Sequence, residues 1–317
     1  LDLYQFRWPV PDKGFIWEEN LTTDSNAVQN RQPPFLIDNP ESEWQHYYRP
    51  LEKTDLLFKF AGLEADLESI RAFANKYGRL GVGTMYYPPA GGNVVYGESF
   101  AVWMRAVNRL KTWVQIWLWI EERDAGKLGQ VVRWSNDFAR VELVFENNAL
   151  PLRGFHVIAS KETNYRAEFF DRWRPGDVYG PAKLALLEAV NKELKGAVSP
   201  CLLLKKDGSL GGFLRPHNLL GALWFQLYQA ITGERRYRRC EVCQGWMDTT
   251  DSRRHIKQHP ECRNRRNARI TRAREKVLKM HQEGKPIEEI AAATGVLAAD
   301  VEAIIRKGMK HNAKENT

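Results

Sequence analysis

Apolar residues recur every three or four positions in four stretches of the first 233 residues, and that spacing predicts helices. Leu63, Leu67, Ile70, Phe73 or Ala74, and Tyr77 form the first stripe, and Gly78 follows as a stop. Ser99 stands where it can cap a second helix running to about Arg123, with Trp103, Val107, Leu110, Val114 and Trp117 on one face. Gly180-Pro181 opens a third, with Leu184, Leu187, Asn191 and Leu194 inward and Gly196 at its end. The fourth, "HNLLGALWFQLYQAITG", carries Leu220, Leu223 or Trp224, Leu227 and Ile231 and stops at Gly233.

Alternation with period two marks the strands. Val141, Leu143 and Phe145 alternate in "RVELVFE", and "FHVIAS" is a second candidate. "CLLLKKDGSLGGFLR" predicts a hairpin around a two-residue Asp207-Gly208 turn. The first 55 residues, rich in proline, asparagine and aromatics, predict irregular structure or short strands, and "YYPPAGGN" a loop. The chain holds no internal repeat and no low-complexity tract.

Near residue 234 the composition changes. A helix over 260–281 would line up Arg265, Arg269, Arg272, Lys276 and Lys279 as a basic stripe, with Ile270, Ala273 and Val277 as an apolar docking stripe. "KPIEEIAAATGVLAADVEAIIRK" then predicts a helix-turn-helix: Ile287, Ile290 and Ala291 in one helix, Thr294-Gly295-Val296 as the turn, and Val301, Ile304 and Ile305 in a second helix from Ala298 to Lys307. Leu297-Ala298-Ala299-Asp300 at the start of that second helix offers few donors to a base edge, so a helical hairpin used for packing or dimerisation is the competing reading.

Charge sharpens this division. The 317-residue chain carries a net +8, yet Arg235 to Lys279 holds fifteen Lys/Arg against five Asp/Glu, so the remainder sums to about −2. Ten of the eleven tryptophans lie at or before residue 224, which assigns the large core to the first two-thirds of the chain. The longest strongly apolar run, Trp113 to Ile120, is far short of the roughly 20 residues that span a bilayer. The N-terminal sequence shows no basic region followed by an apolar stretch. A cytoplasmic protein without a membrane partner is the expectation.

Four cysteines in so long a chain do not make a disulfide framework. Cys240 and Cys243 have the spacing of a zinc knuckle, and His259 and Cys262 follow within the same 23 residues. Pro260 suits the first turn of a helix, which would put Cys262 where the helix dipole favours a thiolate. The predicted ligands of a structural Zn2+ are Cys240, Cys243, His259 and Cys262, with His255 as the alternative histidine. A knuckle, a hairpin and a helix carrying the last ligand make a treble-clef-like arrangement. Cys201 sits in an apolar strand pattern and reads as a core thiol.

The stretch "RRCEVCQGWMDTTDSRRHIKQHPECRNRR" resembles the CGNR-type zinc finger of bacterial regulators. The likeness is carried by Arg239-Cys240, Cys243, Trp246, Asp248, Arg253-Arg254 and Cys262-Arg263-Asn264-Arg265. It implies a finger behind a mixed helical domain of the type called ABATE, and it implies DNA binding. The sequence departs from that pattern in His259, which replaces a cysteine, in Arg263, which replaces a glycine, and in the segment that follows the finger.

The expected organisation is α+β: a mainly helical sensor or assembly domain with a small antiparallel sheet over 1–233, a zinc finger with basic helix over 234–281, a helix-turn-helix-like segment over 282–308 and a flexible tail over 309–317. Arg253, Arg254, Arg263, Arg265, Arg266, Arg269, Arg272 and Lys276 are the candidate nucleic-acid contacts. The expected function is a zinc-containing DNA-binding protein, a transcriptional regulator, whose N-terminal domain takes a small-molecule ligand or forms a homo-oligomer. The rival is an RNA-binding or phage-defence accessory protein using the same helix. A metal-dependent nuclease built on His255, Asp248 and Asp251 is the remaining alternative. The chain shows no compact nuclease motif, no glycine-rich phosphate loop and no H-E-x-x-H, so no enzyme is expected.

Overall fold

The computed structural model describes residues 6–19, 34–86, 94–145, 150–204, 207–250 and 256–315. These form two compact units, 1–236 and 237–317. In chain order the first unit begins with β1 (Trp8–Pro11), β2 (Phe15–Glu18), β3 (Phe35–Asp38), β4 (Gln45–Tyr48), α1 (Leu56–Ala61), α2 (Leu67–Tyr77), β5 (Thr84–Tyr86) and β6 (Val95–Ser99). It continues with α3 (Phe100–Glu121), α4 (Ala125–Leu128), β7 (Val132–Trp134), β8 (Arg140–Val144), β9 (Phe155–Ser160), α5 (Tyr179–Leu194), β10 (Val198–Leu204), β11 (Leu210–Pro216) and α6 (Leu219–Ile231).

The strands of this unit make four small antiparallel sheets among the described residues, where the sequence predicts one. They are β1–β4, a four-stranded β2-β3-β6-β5, a three-stranded β7-β8-β9 and the β10–β11 hairpin. The proline-rich N-terminal stretch thus supplies β1 to β4, while the "PPAGGN" part of the expected loop lies outside the described residues.

α3 holds the centre of the core. Ser99 Oγ accepts the Val102 N–H at its start, as the sequence predicts. Its second half is buried on nearly every side, from Thr112 through Ile120 apart from Gln115. A helix apolar all round belongs inside, and α1, α5 and α6 pack against this one. α6 is buried in the same way, and Asn218 Oδ1 caps it by accepting the Gly221 N–H.

Three expectations need correction. α2 begins at Leu67, not near Leu63, because Asp66 Oδ1 accepts the Ser69 N–H and fixes the start there. α5 buries Ala182, Ala185, Leu186, Ala189 and Val190, while Leu187 is 55% exposed. Small residues let α5 approach α3 closely, so the alanine face turns inward and the leucine stripe does not. In the hairpin, Leu204 pairs with Leu210, leaving an odd number of residues between them. A two-residue loop is excluded. Gly208 takes φ +81°, and the Asp207 carboxylate accepts from the Ser209 N–H and Oγ, which closes a longer turn.

One buried carboxyl group fastens a loop of this unit. Glu98, on β6, is fully buried, and Oε1 accepts the N–H groups of Gly81 and Val82 at 2.5 and 3.0 Å. Oε2 accepts the Leu80 N–H at 2.9 Å.

The second unit contains β12 (Tyr237–Arg239), β13 (Trp246–Asp248), α7 (Pro260–Gln282), α8 (Ile287–Thr294) and α9 (Ala298–Glu315). Val277 and Met280 of α7, Ile290 of α8, and Val301 and Ile305 of α9 share one small core. Gly295 ends α8 at φ +68°, the left-handed stop the sequence predicts. α9 runs on through Glu315, past Lys307 and over residues 309–315 of the stretch expected to be a flexible tail.

Candidate metal centre and basic helix

The knuckle forms where β12 turns back into β13, with Arg239 paired to Trp246. Between them Cys240 N–H donates to the Gly245 carbonyl at 2.8 Å, and Gln244 N–H to the Cys240 carbonyl at 2.9 Å. Gln244 takes φ +58°, a left-handed residue that folds the second cysteine back beside the first. The chain then returns over the knuckle, and Glu241 N–H donates to the Lys257 carbonyl at 3.0 Å.

His259 is the N-cap of α7 and Pro260 its first residue, so Cys262 lies in the first turn. One donor atom each from Cys240, Cys243, His259 and Cys262 lie within 4.8 Å of one another. His259 Nδ1 is 3.3 Å from Cys243 Sγ and 4.0 Å from Cys262 Sγ. With Zn–S bonds of about 2.3 Å, tetrahedral geometry places neighbouring donors roughly 3.8 Å apart. Three sulfurs and one imidazole at this spacing fit a zinc ion. The ring is also oriented for it: Nε2 lies 3.0 Å from the Trp246 carbonyl, so it carries the proton and leaves Nδ1 facing the thiols. His259 is therefore the histidine of the cluster, and His255 lies outside the described residues.

Protonation of the cluster is uneven. Burial opposes the Cys240 thiolate, but hydrogen bonds from the backbone of Cys243, His259 and Val242 outweigh it and bring its pKa down to about 6. Cys262 is pushed up to about 11, first by its hydrogen bond with Cys243, then by burial and by Cys240. The imidazole of His259 shifts upward: burial pulls it down, but the Trp246 carbonyl and the neighbouring sulfurs prevail. Crowded thiols of this kind give up their protons together when a cation arrives.

Arg263, Arg265, Arg266, Arg269 and Arg272 are all exposed on α7. From Arg263 through Arg272 every residue of the helix is exposed, including Ile270 at 55%. The expected docking stripe is thus corrected. Ala273 is half-buried, and the helix enters its core through Val277 and Met280, because α8 and α9 cover only its C-terminal turns. Lys276 is exposed too, and its Nζ donates to the Ala293 carbonyl at 2.9 Å. Arg253 and Arg254 lie outside the described residues. Arg235, counted with the basic segment, is buried in the first unit and donates to the Leu51 carbonyl at 2.7 Å.

Two further details were not read from the sequence. The Arg239 guanidinium sits 4.6 Å from the centre of the Trp246 ring, across the strand pair, so one face of that tryptophan is occupied. Asp248 Oδ1 accepts from Thr250 N–H and Oγ1, closing a local turn. The partner Asp251 of the nuclease alternative lies outside the described residues.

Comparison with family models, with curated proteins and with solved structures finds no match to this chain. The likeness to the CGNR-type finger rests on the residues quoted above. Among the described residues no helix is long and apolar enough to cross a membrane.

Proposed function

We propose that this chain is a zinc-containing DNA-binding protein of the CGNR-finger kind, acting as a transcriptional regulator. One observation carries the reading: the cluster of three cysteines and a histidine grips the first turn of a helix whose next ten residues, five of them arginine, are exposed. Closed by four protein donors, the zinc would be structural and would leave no position for a catalytic water. Its work is to fix the helix start, so that the arginines are presented in a set direction. Guanidinium groups suit this use because they bind phosphate oxygens and guanine edges through two parallel hydrogen bonds.

In this reading knuckle, hairpin and α7 act as a treble-clef-like finger, and α8 and α9 as the following helix-turn-helix. Leu297, just before α9, and Ala298, Ala299 and Asp300 at its start are exposed and supply little to a phosphate or a base. The main contact is therefore assigned to α7. The test is a selection from random-sequence duplex DNA with structured RNA as competitor. Enrichment of duplex sequences that survive the competitor is the expected result. Complete displacement by RNA would replace this reading with the RNA-binding one.

A further inference from the structure

In the first unit a cavity of about 500 Å3 opens between the β10–β11 hairpin and α6. Leu202, Phe213, Leu214 and Phe225 are among the apolar residues that line it, and Gln229 and Glu234 among the polar ones. Leu202 is 73% exposed, an uncovered leucine on the wall of a cavity rather than in a core.

The polar pair is what singles out this cavity. Gln229 is only 6% exposed, and its Oε1 is buried without a hydrogen-bond partner. Buried amides are ordinarily paired, because desolvating one without compensation is costly. Turning the amide about its last side-chain torsion would offer that carbonyl a partner in the cavity that Gln229 lines. Glu234 is exposed and has neither a hydrogen bond nor an ion pair among the described residues. Two acceptors, one of them anionic, thus meet apolar walls, and no lysine or arginine is found among the described lining residues. An ammonium would meet Glu234 and the Gln229 carbonyl while its apolar part lies against the leucines and Phe225.

We propose that this cavity is a binding site for a small amphipathic organic cation, a primary or secondary ammonium on an apolar body. It lies wholly in the first unit and does not depend on the metal centre or on nucleic-acid binding. Calorimetric titration of the full chain with 2-phenylethylammonium tests it, with 2-phenylethanol as the neutral isostere. The expected result is saturable one-to-one binding of the amine, with the alcohol at least roughly tenfold weaker, the size of one charged hydrogen bond. Glu234→Gln should weaken the amine by roughly the same factor and leave the alcohol unchanged. Gln229→Leu should also weaken the amine, without lowering the melting temperature, since it removes an unpaired buried group. Equal binding of amine and alcohol, absence of saturable amine binding, or an unaltered Glu234→Gln variant would each overturn the proposal. A marked fall in melting temperature for Gln229→Leu would do so too, by showing that the amide is already bonded within the fold.

Discussion

Lys276 of α7 donates to the carbonyl of Ala293 across 2.9 Å, capping the last turn of α8. A cation at a helix C-terminus satisfies an orphan carbonyl and opposes the negative end of the helix dipole. The ammonium also ties two helices of the small core together. Lys276→Ala should therefore lower the stability of the second unit by roughly 0.5–1 kcal/mol. It should change nucleic-acid affinity much less than loss of any exposed arginine nearby. Thermal melts and binding isotherms of the same variant separate the two, and a drop in affinity without a drop in stability would make Lys276 a nucleic-acid contact rather than a cap.

Arg269 and Arg272 lie in the stretch of α7 that is exposed throughout. If about five phosphates are contacted, log K falls with log salt at a slope of roughly −4 to −5. Changing both residues to alanine should weaken binding to all duplex sequences and flatten that slope by about two contacts. Titrations at several salt concentrations measure it. A double variant that keeps the parent's affinity and slope would reduce the helix to a solvated charged face.

Elemental analysis should give about one zinc per chain, since three cysteines and a histidine lie within 4.8 Å of one another and would close one tetrahedral site. Cys243→Ala should lose the metal and the order of the knuckle, because metal affinity in so small a module is folding free energy. His259→Cys should keep zinc, since a set of four thiolates is equally suitable. Full retention by Cys243→Ala would refute the ligand assignment.

Glu98 sets a pH dependence in the first unit. Burial raises its pKa above the ordinary glutamate range; the N–H groups of Leu80, Val82 and Gly81 and the Arg79 guanidinium pull it down without reversing the shift. The folded state then holds the proton more tightly than the unfolded chain does. This group's contribution to stability is complete below the ordinary glutamate value and is lost as pH rises through the raised one. Urea melts across that range should show the decline, and Glu98→Gln should remove it. Identical pH profiles for the two proteins would exclude Glu98 as its source.

Much of this was legible in the sequence where one local rule decides the outcome. Ser99 caps α3 because its hydroxyl reaches a free N–H three residues on, and Pro260 starts α7 because its ring already has the helical φ. The gathering of Cys240, Cys243, His259 and Cys262 was legible for the same reason, since two short spacings and one helix turn suffice. Failures came where packing overrode pattern. Leu187 yields to Ala185 and Ala189 because α5 needs a thin face toward α3, and no periodicity records a neighbour's proximity. Ile270 has the right spacing for docking, but the helices that could cover it end short of it. Met280 was missed, although extending the stripe from Val277 by three residues would have reached it.

The exposed middle of α7 has a consequence for its own stability. Its first turn is held at the cysteine cluster and its last turns by Val277 and Met280, but the ten residues from Arg263 to Arg272 have no buried face. Along them Arg265 and Arg269 stand four apart, and Arg266, Arg269 and Arg272 three apart. Like charges at those spacings repel by roughly 0.2–0.5 kcal/mol per pair. This span is a bridge loaded by its own charge and supported only at its two piers. Any polyanion laid along it, or simply a rise in salt, lightens that load, so the helix is straightest and least prone to fray when its arginines are occupied.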